Sequence, residues 1–92
     1  MEFEWDEEKA QHNVIKHGVT FEEAETVFDD RLFVDLFDST HSDAEPRYLI
    51  VGRSNSNRLL IVSYTERSGK TRLIGARETT RRERRDYEEG MI

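Results

Sequence analysis

The stretch Arg58–Arg85, RLLIVSYTERSGKTRLIGARETTRRERR, sets the tightest limit on what this chain can fold into. Leu59–Tyr64 and Leu73–Ala76 are the longest apolar runs, so a sheet core has to be built on them. Arg67-Ser68-Gly69-Lys70 between them has turn composition, and the spacing is that of a β-hairpin. An arginine-dense helical segment follows at once, so core and positive charge come from the same segment.

The rest of the chain must pack onto that hairpin with little apolar material. Hydrophobic residues are 35% and charged residues 37% of the sequence, yet five Phe, three Tyr and one Trp supply enough large side chains for a small core. A chain of 92 residues reads as one domain, residues 1–92, burying about two-thirds of its unfolded surface. The absence of cysteine excludes a disulfide scaffold, and three scattered histidines lack ligand spacing, so neither metal nor cofactor is expected. No apolar run approaches the roughly 18 residues of a membrane span and no signal-peptide pattern is present, which predicts a cytoplasmic protein without membrane contact.

Net charge is -6, but it is divided unevenly. Residues 1–46 hold 14 acidic and 3 basic side chains, whereas residues 47–85 hold 3 acidic and 11 basic ones. A phosphate backbone responds to the field of one face, so this asymmetry points to nucleic acid. Mutual neutralisation of the two halves across the fold is the competing explanation.

Phe3-Glu4-Trp5 alternates as a short edge strand, and Asp6 is placed to cap a helix ending at about His17 with Gly18 as its C-terminal residue. Ala10, Asn13, Val14 and His17 fall on its inward stripe. Thr20 opens a capping box with Glu23 for a second helix over about 21–29. Strands follow at about 32–37, 47–53, 58–66 and 71–77, with a turn-rich loop at 38–46, and Thr79 or Thr80 caps a last helix over about 81–89. The expected fold class is therefore α+β: an N-terminal helical hairpin and a C-terminal helix on a mainly antiparallel sheet of about four strands.

The order Phe3-x-Trp5-Asp6-x-x-Lys9, Asn13-x-x-Lys16-His17-Gly18-Val19-x-Phe21-x-x-Ala24, Val27-Phe28-Asp29-Asp30, Tyr64-Thr65-Glu66-Arg67 and Ala76-Arg77-x-x-Thr80-Arg81-Arg82-Glu83-Arg84 resembles the BrnT toxins of bacterial type II toxin–antitoxin systems. The resemblance spans nearly the whole chain. It implies a RelE-like fold, RNA cleavage, arrest of translation and neutralisation by a ribbon-helix-helix antitoxin. Operator DNA would be bound only through that antitoxin, which would also dimerise the complex into a heterotetramer.

Metal-free cleavage of RNA needs a base for the 2′-hydroxyl, an acid for the leaving oxygen and cations on the phosphorane between them. His17, Glu66, Arg67 and Arg77 supply those types and are the catalytic candidates. Arginine suits the cationic role because its planar fork donates two parallel hydrogen bonds to phosphate. Against catalysis, His17 can serve as a helix cap, and Glu66 can pair with Arg58 or Arg72 across the hairpin. Tyr64, Arg72, Arg81, Arg82, Arg84 and Arg85 are the RNA-contact candidates, Tyr64 by stacking unless it packs in the core. His12 and His41 read as surface residues. Two classes of function stay open: an endoribonuclease toxin, and a non-catalytic RNA- or protein-binding module that docks through the arginine rim. A structural subunit leaves the arginines unexplained.

Overall fold

A computed structural model describes residues 1–92. Its elements are β1 (Phe3–Glu4), α1 (Glu7–His17), α2 (Phe21–Glu25) continued by a 3-10 turn at Thr26–Asp29, β2 (Val34–Phe37), a 3-10 turn at Ser39–His41, β3 (Tyr48–Arg53), β4 (Leu59–Arg67), β5 (Lys70–Glu78) and α3 (Arg81–Glu88). The strands form one sheet in the order β1-β5-β4-β3-β2. The expectation of about four strands is corrected to five, and the sheet is mixed: β1 runs parallel to β5, pairing Phe3 with Thr71 and Glu4 with Arg72. The outer edge of β5 needs hydrogen-bond partners, and a two-residue strand reinforced by the Arg72–Glu4 ion pair (3.0 Å) supplies them at one end.

Farther along that edge a side chain does what a strand would do. Asn13, on the buried side of α1, donates from Nδ2 to the Ala76 carbonyl (2.8 Å) and accepts the Ala76 N–H at Oδ1 (3.1 Å). Nδ2 also donates to the Val19 carbonyl at 2.9 Å, just past the turn that ends the helix. One amide thus ties α1, the following turn and β5 together. Gly18 makes the turn possible, because its φ of +68° is left-handed and its N–H returns to the Val14 carbonyl.

Leu73 and Ala76 are both buried, yet three residues apart they cannot share a face of a regular strand. A bulge resolves the conflict: Tyr64 pairs with Leu73 and Ser63 with Gly75, leaving Ile74 unpaired. The core on that face joins Leu73 and Ala76 to Leu60, Val62, Ile50 and the helical Phe21, Ala24 and Val27. Gly52 lies under the helices, where an added Cβ would stand 3.0 Å from the Asp30 carboxylate and 3.1 Å from Val27.

The opposite face is mostly open. The pairing register aligns Leu49, Ser63 and Gly75 in one row and Val51, Ile61 and Arg77 in the next. From the end of β5, α3 runs toward β2, held by Arg77–Glu83 at its start and by the Tyr87 hydroxyl donating to the Leu32 carbonyl (2.9 Å) near its end. Thr80 caps it with a complete capping box. The box expected at Thr20 forms only by half. Thr20 accepts the Glu23 N–H, but the Glu23 carboxylate turns to Arg58 and Ser54, because a charged guanidinium is a stronger partner than a neutral amide.

Asn13→Ala strands the N–H and C=O of Ala76 and the Val19 carbonyl, and is expected to lower unfolding free energy by on the order of 3 kcal/mol. Urea denaturation checks this, and a loss below about 1 kcal/mol contradicts the assigned role.

Candidate functional site

Ser63 and Gly75 sit side by side in the open face, and neither fills it. A cavity of about 350 Å³ results, floored by Leu49, Ile61 and Ser63. That is the low end of the roughly 300–1,000 Å³ of small-molecule sites, suited to one nucleotide and too small for a duplex. His17 from the end of α1 and Arg77 from the end of β5 stand on its wall, brought together by the Asn13 tie. Asp38 and His41, from the loop after β2, close the other side.

Arg77 forms a two-pronged pair with Glu83: Nη1 to Oε1 at 2.8 Å and Nη2 to Oε2 at 2.9 Å, with Nη1 also donating to the Glu78 carbonyl. Arg77 holds the Glu83 carboxyl at about 2, aided by the Thr80 backbone, against the opposing effect of burial. Glu83 in turn pushes the Arg77 guanidinium above its ordinary value. Three of its five N–H donors are used, and Nε–H and one N–H of Nη2 remain for a ligand. The His17 imidazole is half-buried and makes no hydrogen bond within the chain, so the capping bond conceived for it is not formed. His41 Nδ1 donates to Asp38 Oδ2 at 2.9 Å. A second groove, of about 380 Å³, shares His17 and Gly75 with the first and carries Lys9, His12 and Lys16 along α1.

Of the residues singled out in the sequence, only His17 and Arg77 meet in the cavity. Glu66 faces Thr71, whose hydroxyl donates to it at 3.2 Å, and pairs with neither Arg58 nor Arg72. Arg67 is bound to Glu45 (2.9 Å) and Arg72 to Glu4. Tyr64 lies in the core at 6% exposure, stacked on Tyr48, with its hydroxyl on Asp35 (2.7 Å), so its ring is closed to a base. Burial and then the Asp35 carboxylate push that phenol well above its ordinary value. On α3, Arg84 leans toward Glu88 (3.6 Å), while Arg81, Arg82 and Arg85 are exposed and make no ion pair. The charge asymmetry is therefore resolved in both ways: Arg58, Arg67, Lys70 and Arg72 pair with acids of the first half, and Arg81, Arg82 and Arg85 stay free.

His41, read from the sequence as a surface residue, is exposed, and it reaches the cavity together with Asp38, which no sequence feature singled out. Their i, i+3 spacing in a turn-rich loop looks like an ordinary Asx cap, and only the folded loop brings them to the cavity.

A family model described as the ribonuclease toxin BrnT of type II toxin–antitoxin systems matches residues 5–83. The chain belongs to the BrnT family of ribonuclease toxins. As in that family, RNA is the substrate and a cognate antitoxin the partner. The match includes the cavity residues and Arg81 and Arg82, and stops before Arg84 and Arg85. The fold is also that of the Brucella abortus ribonuclease toxin BrnT, whose crystal structure superposes with a TM-score of 0.65 at 24% identity, covering 88% of this chain and 99% of that one. Comparison with curated proteins gives no match. No helix of this BrnT chain is long and apolar enough to cross a membrane.

The Glu83 carboxyl is depressed in the folded state, so its contribution is complete above the ordinary value of 4.5 and is lost as pH falls through about 2. Glu83→Gln is expected to cost on the order of 1 kcal/mol at pH 7, with the difference from wild type fading as pH drops from 4.5 toward 2. Denaturation midpoints measured across that window check it, and a pH-independent difference contradicts it.

Proposed function

We propose that this BrnT toxin cleaves single-stranded RNA in the sheet-face cavity without a metal ion, by attack of a 2′-hydroxyl on the adjacent phosphate. The observation that carries the proposal is the meeting of His17 and Arg77 in one nucleotide-sized cavity next to a helix with unpaired arginines. Arg77 receives the phosphate with its free Nε–H edge and stabilises the charge that grows on the phosphorane oxygens. His17, unengaged in the fold, is available for proton transfer. Arg81, Arg82 and Arg85 draw in the backbone on one side, and the groove of Lys9, His12 and Lys16 carries the strand away on the other. Glu66, Arg67, Arg72 and Tyr64 have partners elsewhere and take no step in this scheme.

Cleavage of cytoplasmic messages would arrest translation. Neutralisation follows if the antitoxin covers the arginine helix or the cavity; we propose a ribbon-helix-helix antitoxin, dimerised to give a heterotetramer that contacts operator DNA only through its own domain. Family membership and the unpaired basic surface support that assignment.

Purified protein should cut labelled RNA in the presence of EDTA. Arg77→Ala is expected to slow cutting about 100-fold, the scale of losing one preorganised donor. Replacing Arg81 and Arg85 together should leave the chemical step intact and flatten the slope of log binding constant against log salt by about 1.4. RNA that stays intact while still being bound would assign the chain to the binding-module class instead.

A further inference from the structure

Two imidazoles reach the cavity, and the fold treats them differently. Asp38 is fixed by the backbone: its N–H donates to the Arg47 carbonyl (2.8 Å), and its Oδ1 accepts the Thr40 N–H (3.2 Å). Its other oxygen, Oδ2, takes the Nδ1 proton of His41 at 2.9 Å. The Asp38 side chain is 13% exposed and that of His41 65% exposed, so a half-buried carboxylate holds an accessible ring. With Nδ1–H committed to the carboxylate, the neutral imidazole presents Nε2 as a lone pair. This is the arrangement by which a carboxylate sets the tautomer of a histidine base. His17 has no such partner.

We infer that His41, oriented by Asp38, is the general base of the cleavage reaction and that His17 across the cavity is the general acid. The inference rests on the proposed cleavage of RNA at this site. In the forward step His41 Nε2 takes the proton of the 2′-hydroxyl, the 2′-oxygen forms a bond to phosphorus, and the bond from phosphorus to the 5′-oxygen breaks. His17 delivers a proton to that departing oxygen. The products are a 2′,3′-cyclic phosphate and a 5′-hydroxyl, with no oxidant, reductant or second substrate needed, and the two rings exchange protons with water to reset. Arg77, which lines the same cavity, holds the phosphate.

The other ionisable groups of the cavity cannot fill these roles. Glu83 has both carboxylate oxygens on Arg77 and one of them on the Thr80 N–H as well, and Asp38 is occupied by His41. Asp43, Glu45 and Arg47 line a second hollow that His41 shares. Glu45 is engaged by Arg67. Asp38 is a positioning residue in this scheme, and His41 a catalytic one.

The test uses the whole protein and a short RNA labelled at its 5′ end, in EDTA. Wild type should release a fragment ending in a cyclic phosphate; failure to cut, or a 3′-hydroxyl end, overturns the cleavage proposal on which the dyad rests and the dyad with it. If wild type cuts, His41→Ala is expected to lower kcat/KM by about 10²–10⁴-fold, to lose the limb in which rate rises with pH, and to regain rate with added imidazole. Asp38→Asn should slow cutting at least tenfold and displace that same limb. An RNA of the same sequence with a 2′-deoxy residue at the cleavage site should bind both variants within threefold of wild type. Cutting by His41→Ala within threefold of wild type, with the pH limb retained, overturns the dyad while leaving the cleavage proposal standing. His41→Gln, which keeps the size and a donor, serves the same comparison if the alanine variant does not fold, as judged by circular dichroism.

Discussion

Ala76 sits where β5 has outrun its parallel neighbour, and its outward N–H and C=O are met by the amide of Asn13 alone. A buried backbone pair without partners is costly, so this contact fixes how α1 lies on the sheet. The geometry of the site follows from it. Asn13 lies one helical turn before His17, and Ala76 directly precedes Arg77, so the tie that satisfies the backbone also sets the imidazole beside the guanidinium. The bulge at Ile74 serves the same end by turning Ala76 inward and leaving Gly75 on the open face, where a side chain would fill the cavity.

Charge pairing then sets apart two groups among the basic residues of the second half. Arg58, Arg67, Lys70 and Arg72 are neutralised by acids of the first half and hold elements together: Arg58, for example, joins the Glu23 carboxylate and the Gly18 carbonyl to the start of β4. Arg81, Arg82 and Arg85 make no ion pair, the first two in a first turn where positive charge opposes the helix dipole. The Thr80–Glu83 capping box and the Arg77–Glu83 pair offset that cost, so one carboxylate both starts the helix and orients Arg77.

Much of this architecture is legible in the sequence. The caps at Asp6 and Thr80, the stop at Gly18 and the three-strand meander are written in local residue chemistry, and so is the family through its spaced motifs. What is not legible depends on contacts distant in sequence. Asn13 reads as one member of a helical stripe, and nothing local shows that its partner is Ala76, 63 residues away. Glu23 has the spacing of a capping box and is claimed by Arg58 instead, 35 residues on. Tyr64 ends an apolar strand, where facing in and facing out are equally compatible with its neighbours. The loop at 38–46 hides its histidine in the same way, since the value of His41 lies in which wall of the cavity the loop closes.

The arrangement as a whole therefore depends on a side-chain amide acting as a substitute strand. Native-state hydrogen exchange at the Ala76 amide examines that contact without altering the chain. This N–H is expected to exchange only through global unfolding, as slowly as the amides inside the β4–β5 ladder. Exchange of Ala76 at the rate of an open sheet edge, while the ladder stays protected, would show that Asn13 does not hold it and that the placement of His17 beside Arg77 has another cause.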